Sequence, residues 1–399
     1  MREQIEAEAR AAAAAFGALT DDAVRVALST AAGFVDERAD EIAAANALDM
    51  QAAADLDEGT RDRLRLDEER IAAMAGQLRD LADLPPLDRL EDAWLLPNGL
   101  QVEVRRIPIG AVGANFEARP NVAVDVAGQL LKSLNTGVLR TGGAALRTVA
   151  FLVDEVLRNG LRQAGLPPEA IGLVRTPDRE GARILVSLPD VLPLVILRGS
   201  GETTASLARD AAQHGVRTLA HAEGGGVLYV HSEADPAKVE ALVTASLDRL
   251  GVCNRLNLLL ADDGVEVPYA LFERLGITVR EPERVGHEWA NDPERIASVT
   301  VRIVASLEEA VAVANGETTG LAATIVTESP FAAQQFLESY RGTAAYWNAP
   351  TRFTDGFALT GAPETGINVD RVPGPRGPVT YRDLYLRQYR VVGDGTQHR

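Results

Sequence analysis

The chain has 399 residues, 46% of them hydrophobic and 24% charged, with a formal net charge of −17 and an isoelectric point near 4.8. This length supports two or three domains with their own cores. Because the net charge is strongly negative and basic residues do not cluster along the sequence, nucleic acid is not an expected partner. The sequence has no run of 18 apolar residues, so no membrane span is expected. One cysteine and an acidic, alanine-rich start in place of an export signal are typical of a cytoplasmic protein.

In chain order, a helical start is followed by alternating strands and helices. Residues 1 to about 85 carry apolar side chains at helical spacing, and Pro85-Pro86 ends this region. Pro97-Asn98-Gly99 separates two extended runs within residues 94–108, which predicts a hairpin. Alternation over residues 107–201, and again from 226 to about 345, predicts parallel sheets with helical crossovers. The last predicted strand covers residues 385–392.

Three glycine-containing turns follow or border predicted strands. They are Gly110…Gly113, Arg140-Thr141-Gly142-Gly143 and Arg198-Gly199-Ser200-Gly201. In a parallel sheet such turns lie at the carboxyl edge, where glycine lets the backbone approach a phosphate and the next helix offers free N–H groups. None has the G-x-G-x-x-G spacing, so an ordinary tight turn stays an alternative for each.

Cys253 is the single cysteine, at a boundary between a helical run and a strand. Its thiol is either a reactive group or a small buried hydrophobe. His221 ends another strand-like run, where a histidine moves protons or makes a structural hydrogen bond. Arg352 lies in a Pro/Thr loop, where it holds a carboxylate or lies in an exposed turn. Five histidines without an HxxxH spacing, and no second cysteine, give no support for a metal site.

Read together and in order, these motifs resemble the γ-glutamyl phosphate reductase family, a branch of the aldehyde dehydrogenase superfamily. The matching segments are Pro97-Asn98-Gly99, Phe116-Glu117-Ala118-Arg119-Pro120-Asn121, Lys132-Ser133, Arg198-Gly199-Ser200, Gly251-Val252-Cys253-Asn254, Asn348-Ala349, Thr351-Arg352-Phe353-Thr354-Asp355-Gly356 and Arg376-Gly377-Pro378.

The resemblance implies an α/β, aldehyde dehydrogenase-like fold in three parts. Residues 1–225 would form a Rossmann-like cofactor domain, with 94–106 in a small β extension used in oligomerisation. Residues 226–350 would form the α/β catalytic domain that carries Cys253. Residues 351–399 would return to the cofactor domain and add a strand to the extension. A homodimer or larger assembly is expected.

The resemblance also implies a reaction: NADPH, with NADH as the alternative, reduces γ-glutamyl 5-phosphate through a Cys253 thioester, in proline biosynthesis. Asn121 and Asn254 are the candidate oxyanion donors, and His221 stands where hydrolytic relatives keep a glutamate base. Arg119 and Arg352 are the candidates for the substrate's anionic groups. The predicted cofactor-binding residues are Arg140, Gly142, Gly143, Arg198, Gly199, Ser200 and Lys132.

Several positions depart from the family pattern. Thr141-Gly142-Gly143-Ala144 replaces a turn with an acidic residue, Gly201-Glu202 places an acid where a basic residue is usual, and Arg255-Leu256-Asn257 replaces Ala-Leu-Glu after the cysteine. The departures leave two alternatives open. One is a paralogue acting on another acyl phosphate, thioester or aldehyde. The other is a catalytically silent scaffold that binds a glutamate kinase-like partner.

Overall fold

A computed structural model describes residues 1–56, 58–199, 201–221, 224–248, 252–281, 297–370 and 374–398. The chain divides into two compact units. The first contains Met1–Ala220, Ala362–Gly366 and Val379–Arg399, and the second contains His221–Gly361 and Ile367–Pro378. No helix in the described ranges is long and apolar enough to cross a membrane.

Unit 1 begins with five helices that pack onto the following sheet in two cores: residues 19–82 pack apolar side chains into one core, and Ile5, Ala9 and Ala12 of the first helix pack into the other. Side chains fix where two of them start, because Thr20 accepts a hydrogen bond from the Ala23 N–H and Asp67 accepts one from Arg70. The helices are α1 Arg2–Ala15, α2 Asp21–Glu37, α3 Ala39–Ala52, α4 Glu58–Leu64 and α5 Glu68–Asp83.

The core of unit 1 is a five-stranded sheet in the described chain, with order β5-β4-β3-β6-β7. The first four strands in that order pair in parallel. Burial of whole strands such as β3 explains their continuous apolar sequences. The elements are β3 Ala111–Phe116, α6 Asn121–Lys132, β4 Thr136–Thr141, α7 Leu146–Phe151, α8 Arg158–Gln163, β5 Ile171–Leu173, α9 Glu180–Leu185, β6 Leu194–Arg198, α10 Gly201–Gln213 and β7 Arg217–His221.

A π-helical segment, Leu152–Leu157, lies between α7 and α8. The chain continues in one helical direction, but its hydrogen bonding widens in the middle.

The predicted hairpin is confirmed and lies in a separate three-stranded sheet. Strand β1 (Leu90–Leu95) pairs antiparallel with β2 (Gln101–Pro108), and β2 pairs antiparallel with β16 (Tyr385–Val392). Gly99 has φ +87°, which glycine tolerates without strain. Buried Gln129 connects the late segments of the chain to α6, since its side chain bonds the Pro363 carbonyl and the Tyr381 N–H.

Unit 2 contains a six-stranded parallel sheet in the described chain, with order β10-β11-β9-β8-β12-β13. Helices pack apolar faces onto both sides of it. The elements are β8 Gly226–Val230, α11 Pro236–Ser246, β9 Leu256–Asp262, α12 Tyr269–Arg274, β10 Thr278–Arg280, β11 Ser298–Val304, α13 Leu307–Gly316, β12 Ala322–Val326, α14 Pro330–Ser339, β13 Ala344–Trp347 and α15 Gly356–Thr360; β14 Gly366–Asn368 and β15 Gly377–Val379 pair with each other.

The α/β fold class expected from the sequence is confirmed by these two sheets. The two units divide the chain differently from the expected domains; residues 351–361, for example, lie in unit 2. The reason is local: the hydroxyl of buried Thr351 donates to the Asn254 carbonyl, which ties this loop to the start of β9.

Candidate active site

The carboxyl edge of the unit 1 sheet is its topological switch point. Strand β3 lies centrally, and the chain continues to β4 on one side and later to β6 on the other. In open α/β sheets ligands bind outside the carboxyl ends of the strands at this point. Phe116 ends β3 and Arg198 ends β6, so residues 117–121 and Gly199 flank the crevice.

Glycine residues allow the turns at this edge of the sheet to pack closely against each other. A Cβ added at Gly199 would lie 3.2 Å from the Glu117 carboxylate, and one at Gly142 would lie 3.6 Å from the Ala118 nitrogen. A Cβ at Gly143 would lie 2.9 Å from the Pro177 side chain. The glycines therefore serve close packing of the turns, and they leave backbone N–H groups near the edge where a phosphate would bind.

Asn121 and Asp125 occupy the first turns of α6. The Asn121 Nδ2 donates to Asp125 Oδ2 at 3.3 Å, and the other oxygen of this buried carboxyl, Oδ1, has no partner among the described residues. Burial raises the pKa of Asp125 to about 7, although the nearby positive charge of Arg198 opposes the shift; Glu364 reinforces it. A group that titrates near neutrality thus fixes the orientation of the candidate oxyanion amide.

Arg140 is nearly buried near the carboxyl end of β4. Its guanidinium donates to the Asn115 side chain at 3.2 Å and to the backbone carbonyls of Pro177 and Asp178, at 3.4 Å and 3.0 Å. Burial, assisted by the positive charge of Arg179, lowers the pKa of Arg140. The Nε atom has no partner in the described part of the chain, so one donor remains for a ligand.

Lys132 does not lie at this edge. It ends α6, just before β4 begins at the amino edge of the sheet. Its ammonium donates to the Ala82 carbonyl at 3.5 Å and to the Leu84 carbonyl, and lies 5.9 Å from the centre of the Tyr381 ring. A helix length separates Lys132 from the ligand edge, and its ammonium contacts the end of α5 and Tyr381, so these contacts give no support to the prediction that Lys132 binds the cofactor.

Cys253 lies at the amino end of β9 in unit 2, half-buried. The turn formed by Gly224-Gly225-Gly226, at the start of β8, runs directly against it. The Gly225 N–H donates to the Cys253 carbonyl at 2.6 Å, and the Gly226 N–H donates to the Arg255 carbonyl at 2.7 Å. A Cβ at Gly224 would lie 2.3 Å from the Cys253 carbonyl oxygen and 2.5 Å from its Cβ. Only glycine allows this contact, which fixes the backbone that carries the thiol.

Apolar side chains surround Cys253 on one side. It packs against a cluster that contains Leu321, Ala322 and Ile367. The Thr319 hydroxyl donates to the Gly224 carbonyl at 3.0 Å, which connects the segment before β12 to the 224–226 turn. The cysteine is thus held between a glycine backbone and an apolar wall.

Asn254 is buried, and its partners are all structural. Its Nδ2 donates to the carbonyls of Arg352 and Thr354 at 3.0 and 3.1 Å, and its Oδ1 accepts from Arg352 Nη1. Both amide hydrogens are used within the protein, so these contacts give no support to the prediction that Asn254 donates to an oxyanion; the side chain instead connects the Cys253 loop to residues 352–354. Arg352 also donates through Nε to Asp248 at 2.7 Å, and this ion pair commits part of its charge.

The remaining candidates have definite places in the fold. Arg119 lies half-buried in the turn before α6, where its N–H donates to the Glu117 carbonyl at 2.7 Å. His221 ends β7, but its side chain lies outside the described residues, as does Ser200. No group of three or more His, Cys, Asp or Glu in the described ranges is arranged to hold a metal ion.

Sequence reasoning missed three functional neighbours. One is the Gly224-Gly225-Gly226 run, since three consecutive glycines before a strand are a signal for close backbone approach. Asp125 carried a signal as well, since it is four residues from Asn121 and therefore on the same helix face. Nothing in the sequence indicated that Thr351 would bond the loop of Cys253.

A sequence profile of the aldehyde dehydrogenase family matches residues 1–292. A γ-glutamyl phosphate reductase from Ligilactobacillus salivarius is 33% identical over an alignment of 389 positions that covers 92% of this chain and 92% of that protein. The reductase of the same name from Rhodospirillum rubrum is 34% identical over an alignment of 406 positions that covers 97% of this chain and 94% of the relative.

The crystal structure of a γ-glutamyl phosphate reductase from Thermotoga maritima superimposes with a TM-score of 0.92 at 27% identity. It covers 99% of this chain and 100% of that chain. The sequence motifs, the two parallel sheets and the placement of Cys253 at the start of a strand agree with these matches. The chain belongs to the aldehyde dehydrogenase family, within which its curated relatives are named γ-glutamyl phosphate reductase.

Proposed function

We propose that this protein reduces γ-glutamyl 5-phosphate to glutamate 5-semialdehyde, with release of phosphate, as a step of proline biosynthesis. The observation that carries the proposal is the backbone of Cys253, which the 224–226 turn holds through two hydrogen bonds to its loop. A nucleophile needs such fixed geometry, because rate depends steeply on the position of the reacting atom. The choice of substrate is based on the names of the relatives at 33% and 34% identity.

The chemistry needs few protein groups. The Cys253 sulfur attacks the acyl carbon, a C–S bond forms, and phosphate leaves with the electron pair of the broken C–O bond. A nicotinamide cofactor, when bound, would supply the hydride that reduces the resulting thioester; the C–S bond then breaks, which releases the aldehyde and regenerates the Cys253 thiolate. The Asn121 amide stays the proposed oxyanion donor by resemblance. Asp125 orients that amide through its hydrogen bond to Nδ2. Arg119 and Arg352 stay the proposed ligands of the substrate's anionic groups.

The cofactor proposed here is NADPH, with NADH as the alternative. Arg140 near the end of the second strand of the sheet supports this choice, because an arginine at that position suits a ribose 2′-phosphate and its Nε is available in the described chain. Gly142, Gly143 and Gly199 suit close approach of the pyrophosphate. Arg198 and Ser200 complete the set by resemblance.

The test is titration of NADPH and NADH into the purified protein, followed by turnover of glutamate 5-semialdehyde in the reverse direction with phosphate present. We expect tighter binding of NADPH, and a rate that falls at least about 10³-fold in Cys253→Ala while cofactor binding persists. Unchanged activity in Cys253→Ala would contradict the mechanism. Absence of any cofactor binding would favour the silent scaffold instead.

Exposed apolar side chains on both faces of the β1-β2-β16 sheet support a homo-oligomer. Leu95, Leu386 and Tyr389 are 67%, 50% and 61% exposed, and the Trp94 ring packs edge-on against Tyr389 at 6.4 Å. Large apolar side chains in an exposed sheet are typical of an interface. A cytoplasmic location and a glutamate kinase-like partner stay predictions from the sequence and the resemblance.

A further inference from the structure

Arg255 is a buried arginine two residues after Cys253, and it is 1% exposed. Its Nη1 donates to the Leu256 carbonyl at 3.1 Å and to the Ser298 carbonyl at 2.9 Å, at the starts of adjacent strands β9 and β11. Its Nε and Nη2 are buried and have no hydrogen-bond partner among the residues that the structure describes. Backbone carbonyls therefore hold Nη1, whereas the N–H groups of Nε and Nη2 are unused within the described chain.

The charge of this group requires a counter-ion. Arginine stays protonated in proteins, and an unpaired buried charge is strongly destabilising. No carboxylate of the described chain lies within ion-pair distance of Arg255. The acid that acts on it electrostatically is Asp248, whose carboxylate is half-exposed and already paired with Arg352. Burial lowers the pKa of Arg255, which is the direction expected for an uncompensated charge.

The two unused donors form one geometric unit. In the planar guanidinium, Nε–H and the neighbouring N–H of Nη2 lie in the plane and point in the same direction along one edge, and together they match the two oxygens of a carboxylate or phosphate. Because Nη1 is bonded to two backbone carbonyls, the guanidinium cannot rotate freely, and the direction of its Nε–H and Nη2–H bonds is fixed. The Ser298 hydroxyl, on the residue whose carbonyl holds Nη1, also has no partner in the described chain.

We propose that Arg255 binds an oxyanion of the substrate or product, a carboxylate or a phosphate, through its Nε and Nη2. The inference deepens the proposed function and rests on it, since γ-glutamyl phosphate carries both kinds of oxyanion. Two residues of chain span at most about 7 Å, which keeps Arg255 near the nucleophile. An oxyanion held away from bulk water forms a strong bidentate contact and offsets the buried charge.

The test measures anion binding without turnover, so it is independent of the reductase reaction. Inorganic phosphate and L-glutamate are titrated separately into the full-length protein at constant ionic strength set by KCl. Binding is followed by calorimetry and by the shift in melting temperature. The variants are Arg255→Met, which removes the charge at similar size, and Arg255→Lys, which keeps the charge but loses the bidentate geometry. Arg274→Met is the control, because its side chain is 63% exposed on α12.

We expect saturable binding of phosphate, of glutamate or of both to the wild type and to Arg274→Met. Arg255→Met should weaken that binding at least about 30-fold, and Arg255→Lys should weaken it less. A response to phosphate alone identifies the leaving group as the ligand, and a response to glutamate alone identifies the carboxylate. No saturable response of the wild type beyond that to KCl overturns the proposal. Undiminished binding in Arg255→Met or Arg255→Lys overturns it as well.

Discussion

Replacing Gly224 with alanine should separate the position of Cys253 from the stability of the fold. The new Cβ would lie 2.3 Å from the Cys253 carbonyl oxygen and 2.5 Å from its Cβ. Backbone atoms at such distances cannot coexist, so the 224–226 turn or the cysteine loop has to move by roughly 1 Å. The 2.6 Å hydrogen bond from the Gly225 N–H to the Cys253 carbonyl is weakened by the same movement.

The expected effect on rate is large and the effect on stability is moderate. A displacement of about 1 Å at a nucleophile costs roughly 10²-fold in kcat. Loss of one buried backbone hydrogen bond, with its strain, lowers the free energy of unfolding by about 1–3 kcal/mol. Both effects arise from one contact, between the turn before β8 and the loop before β9.

Two measurements report on this contact. Turnover of glutamate 5-semialdehyde gives kcat, and the alkylation rate of the single cysteine gives its exposure and geometry without any substrate. Urea unfolding supplies the stability. The matched control is Gly316→Ala in the same unit, since an added Cβ there meets nothing within 4 Å. It should leave kcat unchanged and stabilise the end of α13 by about 0.5–1 kcal/mol. Wild-type kcat and alkylation in Gly224→Ala would refute the positioning argument.

Three further results are expected. Because burial raises the pKa of Asp125 to about 7, the folded state binds the proton more tightly than the unfolded state, and stability falls as pH rises from about 4 to 7. Asp125→Asn should therefore raise the free energy of unfolding at pH 8, by up to about 4 kcal/mol, and change it little at pH 4, as urea melts will show. Thr351→Val leaves the Asn254 carbonyl without its 2.9 Å donor and should destabilise the protein by about 1–3 kcal/mol; equal urea midpoints would contradict this. Leu95→Asp should shift the assembly towards monomer in light scattering, whereas an unchanged mass places the interface elsewhere.

Local sequence determined much of the fold. Pro97-Asn98-Gly99 specified the hairpin, because its turn needs a residue that tolerates the positive φ found at Gly99. The alternation of apolar strands and amphipathic helices specified parallel sheets, because both faces of such strands must be covered. The order of strands along the chain also indicated that the turns after β3, β4 and β6 share one edge. These features depend on neighbours within a few residues, so a single sequence contains them.

Tertiary structure decided which of these residues meet and what each can still bind. Lys132 and Asn254 carried motifs of the family, yet the packing of α5 on α6 and the loop at Thr354 use their polar groups. In the sequence, Arg255 is only a departure from the family pattern after the cysteine. In the structure, β11 lies beside β9, and the Arg255 guanidinium is buried there with Nε and Nη2 unpaired in the described chain. The sequence alone determined the residue types and the local elements. The order of strands in space determined their partners, because contacts between distant segments depend on the whole sheet and on no local pattern.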